Sequence, residues 1–138
     1  MLKKIEAIIR EDKLNDVKEA LREIGIVGLN VFEIRGHGRQ GGITLVGRSG
    51  SYQVDMLTKI QLNIILSEHN LEETIETILN SAATGETGDG LIFVYAVEEA
   101  IRIRTRQRGQ EAVMYPGDID ERKHRGKTYA PGGDVDSR

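Results

Sequence analysis

The chain has 138 residues, of which 30% are charged and 38% hydrophobic, with a formal net charge of −3 and neither Cys nor Trp. This length suits one domain with a short appendage, and an aromatic content of 4% requires an aliphatic core. Without Cys there is no disulfide, thiolate metal site or Cys nucleophile, and the acidic balance gives no general attraction to nucleic acid or acidic membranes. The start, Met-Leu-Lys-Lys-Ile-Glu, lacks a signal peptide's apolar core and no stretch approaches a membrane span, so a cytoplasmic chain is expected.

In chain order, Ile5, Ala7 and Ile9 share one face and predict a strand over 3–10. Asn15 is placed to cap a helix carrying Val17, Leu21 and Ile24, which Gly25 stops. A second strand is expected over 29–36. Residues 37–58 then form a long loop with five glycines, a length that implies function or disorder. Ile60, Leu62, Ile64 and Leu66 alternate with Lys59, Gln61 and Asn63 and predict a strand over 59–66. Asn70 opens a second helix, with Glu73 placed for a capping box and Leu71, Ile75, Ile78, Leu79 and Ala82 as its apolar stripe. Strand 91–97 and a short alternating strand, 101–104, follow. From Arg106 onward the composition predicts a solvated tail, in which Met114-Tyr115-Pro116 and Tyr129 are candidates for docking.

The order β-α-β, long loop, β-α-β is a split βαβ arrangement, α+β and ferredoxin-like, with both helices on one face of an antiparallel sheet. The other face, and the second side of the apolar strand 91–97, are left for other copies of the chain to cover.

Residues 84–90, Thr-Gly-Glu-Thr-Gly-Asp-Gly, join helix to strand. Such a turn can present bare backbone N–H groups to a phosphate, and Gly tolerates the positive φ this needs; the same residues also serve as a plain helix stop. Gly36-His-Gly-Arg-Gln40 opens the long loop, Lys59 lies where the loop rejoins the sheet, and Arg102 and Arg104 leave one face of the expected strand 101–104. Guanidinium forks and an ammonium suit phosphate oxygens, so convergence of these four features would make a polyphosphate pocket. The plainer alternative is an edge strand with its arginines in water. His37, His69 and His124 lack metal-ligand spacing, and Ser49, Ser51 and Tyr52 have no local His partner. No catalytic constellation is visible, and the expectation is a protein that is not an enzyme.

Over about residues 1–113 the chain resembles the PII signal-transduction proteins. The segments that carry the resemblance are Lys-Lys-Ile-Glu-Ala-Ile-Ile-Arg, Leu-Asn-Asp-Val-Lys-Glu-Ala-Leu, Gly-His-Gly-Arg-Gln, Tyr-Gln-Val-Asp-Met-Leu-Thr-Lys, Thr-Gly-Glu-Thr-Gly-Asp-Gly, Ile-Phe-Val-Tyr and Ile-Arg-Ile-Arg-Thr. The resemblance implies a homotrimer of ferredoxin-like subunits with adenine nucleotide, ATP or ADP, in the clefts between them. It implies phosphate contacts from the B-loop, about 84–91, at Gly88, Asp89 and Gly90, and from Arg102 and Arg104, with Leu91 closing the B-loop beside the nucleotide. Gly36, His37, Gly38, Arg39 and Gln40 fall at the root of the T-loop, about 37–58, beside the nucleotide. Gln40 is implied as the Mg²⁺ ligand that joins ATP to 2-oxoglutarate, with Lys59 contacting that acid. Tyr52 aligns with a tyrosine that some relatives uridylylate. The T-loop would engage a membrane transporter or cytosolic enzyme, with recruitment to the membrane by a transporter, and residues 114–138 would be a polar C-terminal extension.

The pattern also breaks. Leu91 stands where the family usually has Lys, and the missing charge-assisted bond is worth on the order of 1.5–3 kcal/mol. Glu86 replaces a frequent Lys, Asn63 a frequent glutamate, and Gly50 the place of a phosphorylated serine. These changes point to an alternative: a divergent PII-like sensor of AMP, ADP or another small anion, tied to carbon supply or another transport system. A trimeric metal-handling or structural relative of the same fold is a further alternative.

Overall fold

The computed structural model describes residues 1–36, 43–47, 50–54 and 57–128, with backbone alone for 43–47, 50–54 and 125–128. Strand β1 (Leu2–Arg10) is followed by helix α1 (Leu14–Ile24) and strand β2 (Asn30–Gly36). A hairpin, β3 (Ile43–Gly47) and β4 (Gly50–Val54), precedes the long strand β5 (Leu57–Ser67). Helix α2 (Leu71–Ala82), strand β6 (Gly90–Val97) and helix α3 (Ile119–Thr128) follow.

Four strands form one antiparallel sheet in the order β2-β5-β1-β6, the ferredoxin-like arrangement. The register Ile5↔Ile64, Ala7↔Leu62 and Ile9↔Ile60 puts every second residue of β1 and β5 on the helix side. There Ile5, Ala7, Ile9, Ile60, Leu62, Ile64 and Leu66 pack with Val17 and Leu21 of α1 and Ile78 and Ala82 of α2. Each Val, Leu or Ile side chain so buried contributes roughly 1.5–3 kcal/mol. The opposite face carries Lys4, Glu6, Ile8 and Arg10 beside Lys59, Gln61 and Asn63, and is unsheathed: Phe32, Leu91, Phe93 and Tyr95 are all exposed.

Gly25 ends α1 at φ +95°, with its N–H bonded to Arg22 O and the N–H of Ile26 to Leu21 O, a Schellman cap. The helix starts at Leu14 rather than behind an Asn15 cap, because the three-residue turn Glu11–Lys13 leads the chain into it and no side chain caps.

Four further expectations need correction. The segment 37–58 is not one irregular loop: β3 and β4 pair in register from Ile43↔Val54 to Gly47↔Gly50, and Leu57 and Thr58 already belong to β5. Asn70 does not build a capping box with Glu73; it is fully buried at the end of the turn Glu68–Asn70, and its side chain bonds Asp120 and Lys123. Residues 101–104 make no strand, only a single bridge, Ile101↔Arg108, closing a turn. Nor is the tail free, since Ile119 is 5% exposed and joins the core cluster.

Candidate functional site

One end of the sheet gathers most of the residues singled out by the sequence. There Arg10 pairs with Lys59, Ile34 with Lys59, Gly36 with Leu57, and Ile9 with Gly90. The turn 84–90 is folded around Asp89. One carboxylate oxygen accepts N–H bonds from Thr84 and Gly85 at 2.8 and 2.9 Å, and the other accepts the Thr84 hydroxyl and Arg10 Nε, the latter at 2.8 Å. The Thr84 hydroxyl first, and then the Arg10 guanidinium, hold the Asp89 carboxyl well below the usual carboxylate range.

Two cations clamp the outside of the turn. Arg10 reaches Thr87 O at 2.7 Å with Nη2, while Lys59 donates to Gly88 O. Partial burial, and then the neighbouring Arg10 charge, lower the pKa of Lys59; Asp89 opposes them. Gly88 and Gly90 have φ of +100° and +106°. A Cβ at Gly90 would lie 1.7 Å from Ile8 O, so the turn enters β6 where only glycine fits.

The expectation of bare N–H groups needs adjustment. Those of Thr84 and Gly85 serve Asp89, and that of Glu86 serves the Thr84 hydroxyl at 3.1 Å. Asp89 thus braces the turn from within, and the positive charge beside it comes from Arg10 and Lys59. Two cations against one braced carboxylate fit a phosphate group. Leu91, 64% exposed, stands at the exit of the turn and brings no charge.

Arg10 is the residue that sequence reasoning missed. Its signal is faint, because its meeting with Lys59 exists only once the β1–β5 register is known. His37, Gly38, Arg39 and Gln40 lie outside the described residues, as do residues 55 and 56; of Tyr52 only the backbone, paired with Leu45, is described. Among the described residues no group of three or more His, Asp or Glu is placed to hold a metal.

Arg102 and Arg104 do not join this cluster. They follow the far end of β6, where Val97 pairs with Leu2 and Leu2 with Ser67. From Gly90 to Val97 the strand runs roughly 23 Å. Within one chain the convergence therefore fails, and the arginines can meet such a turn only on another copy. Arg102 instead bonds Ala112 O and Met114 O and lies over the Tyr115 ring. Arg104 is exposed.

A split βαβ sheet with a glycine turn clamped by cations defines an α+β domain of the ferredoxin-like class. The family model "Nitrogen regulatory protein P-II" matches residues 2–107. A nitrogen regulatory protein P-II of Rhodospirillum rubrum is 52% identical over 112 residues, spanning 81% of this chain and all of that protein. Relatives of the same name from Rhizobium meliloti and Pasteurella multocida are 51% and 47% identical over the same spans. The chain belongs to the P-II family of signalling proteins. Among the described residues no helix is long and apolar enough to cross a membrane.

Proposed function

We propose that this chain is a non-catalytic, homotrimeric PII-type regulator in nitrogen control, cytoplasmic, binding ATP or ADP between adjacent subunits. The observation that carries this reading is the division of the phosphate-binding groups. Arg10, Lys59 and the turn 84–90 occupy one end of β6, and Arg102 and Arg104 lie beyond the other. A pocket that uses both ends needs two chains, and the exposed apolar face around Phe32 and Phe93 favours their association. Residues 37–58 would carry the nucleotide state to a transporter or enzyme, with Gln40 holding Mg²⁺ beside the nucleotide. If 2-oxoglutarate binds Lys59, it must displace the Gly88 carbonyl from the ammonium.

A second reading, selectivity for AMP or ADP, is favoured by one observation: the exposed, uncharged Leu91 at the exit of the turn. Calorimetry with AMP, ADP and ATP on wild type and Leu91→Lys separates the two. An ordinary ATP site lacking one cation should gain roughly tenfold or more for ATP and little for AMP. A site shaped for a shorter ligand should already prefer AMP or ADP and gain little from the lysine. Failure of both proteins to bind any of the three would refute nucleotide sensing.

A further inference from the structure

The matched relatives end where the 112-residue alignment ends, so the segment that leads into α3 has no counterpart in them. It is nonetheless seated firmly. The N–H of Ile119 bonds Gly25 O at 2.8 Å, and a Cβ on Gly25 would stand 2.7 Å from that nitrogen. Arg122 donates to Glu23 O at 2.8 Å and to Gly117 O at 2.9 Å. Asp118, 5% exposed, accepts the N–H groups of Tyr115 and Glu121 at 2.7 and 2.9 Å.

This seat places the start of the extension on Arg102. Its Nε and Nη2 both donate to Ala112 O, at 3.2 and 3.0 Å, and Nη2 also donates to Met114 O at 2.7 Å. The guanidinium carbon lies 4.9 Å from the centre of the Tyr115 ring. A guanidinium has two edges able to grip a phosphate with two parallel bonds, Nε with Nη2 and Nη1 with Nη2. Both need Nη2, which donates to Ala112 O just ahead of the extension and to Met114 O at its start.

We propose that residues 114–128 are a strap that withholds Arg102, so that docking of α3 and a two-bond phosphate contact by Arg102 exclude one another. This rests on the nucleotide reading above. By linkage, a nucleotide that recruits Arg102 loosens α3, and whatever fastens α3 weakens nucleotide binding by the same factor. The strap therefore gives the site an input that the matched relatives lack.

The test uses the full chain. Tyr115→Trp introduces the sole indole of the protein, directly on the contact. Its emission should shift to the red and become more open to acrylamide quenching when ADP is added. The pair Asp118→Ala and Arg122→Ala, which loosens α3 without touching Arg102, should tighten ADP binding roughly fivefold, the equivalent of one helix cap. That gain should vanish when Arg102→Ala is also present. If wild type binds ADP but the pair leaves affinity unchanged, or the gain survives without Arg102, the strap is overturned and nucleotide binding stands. An indole signal blind to bound ADP in the Tyr115→Trp protein overturns it equally, even if the pair fails to fold. No ADP binding by any of these proteins would overturn the strap together with the reading beneath it.

Discussion

At φ +106°, with Ile8 O 1.7 Å from where a Cβ would stand, Gly90 admits no side chain without moving β1 away from β6. Gly90→Ala should cost about 2–4 kcal/mol, combining left-handed strain with a backbone clash, and should lower the urea midpoint accordingly. Its neighbour Asp89 makes a different prediction. A carboxyl whose pKa is depressed by folding contributes stability that is fully present above its unfolded value of about 4 and lost as the pH falls through the folded value. The Asp89 carboxyl should thus remain ionised at about pH 3, where ordinary carboxylates are largely protonated. A pH titration by NMR of the Asp89 carboxyl carbon and the Thr84 amide checks this. In Arg10→Ala the midpoint should move upward, because one of the groups holding the charge is gone.

Among the elements, α3 tests how a helix with one apolar residue, Ile119, is held in place. Ile119→Ala should cost about 2–4 kcal/mol of docking energy. Hydrogen exchange should then quicken across 119–128 while the amides of β1 and β5 stay protected, since the strap can open without the sheet. The other helices and strands β1 and β5 were legible from periodicity: Ile5, Ala7 and Ile9, or Ile60 to Leu66, repeat at two, and Val17, Leu21 and Ile24 at four and three. α3 has no such stripe, and its one sequence signal, Asp118 followed three residues later by Glu121, is a helix start that composition alone hides. Asn70 misled for the opposite reason. A polar residue at a helix entrance reads as a cap, yet its partners Asp120 and Lys123 lie some fifty positions away, beyond the reach of local pattern. The B-loop was legible as a turn, but its brace and its two clamps depend on the pairing of three strands. The apparent strand 101–104 shows that alternation without a neighbouring ladder does not make a strand.

For the whole molecule the open sheet face is decisive. Phe32, Phe93 and Tyr95 stand 49%, 41% and 46% exposed there, and Lys4 lies 5.3 Å from the centre of the Tyr95 ring. Light scattering of wild type should give three times the 15.3 kDa chain mass, and Phe93→Glu should shift it toward the single-chain value. A monomer at micromolar concentration in wild type would remove the shared pocket.

Because β6 separates the cation-clamped turn from Arg102, a chain in the proposed ring would be a link rather than a container, lending one hand to the pocket on either side. Two defective chains can then repair one another. Chains carrying Arg102→Ala keep the clamped turn, and chains carrying Lys59→Ala keep Arg102. Mixing and reassembling the two should restore an intact pocket at every junction where the sound turn of one meets the sound arginine of the other. Either variant alone would bind only weakly, and the recovered capacity would count such junctions.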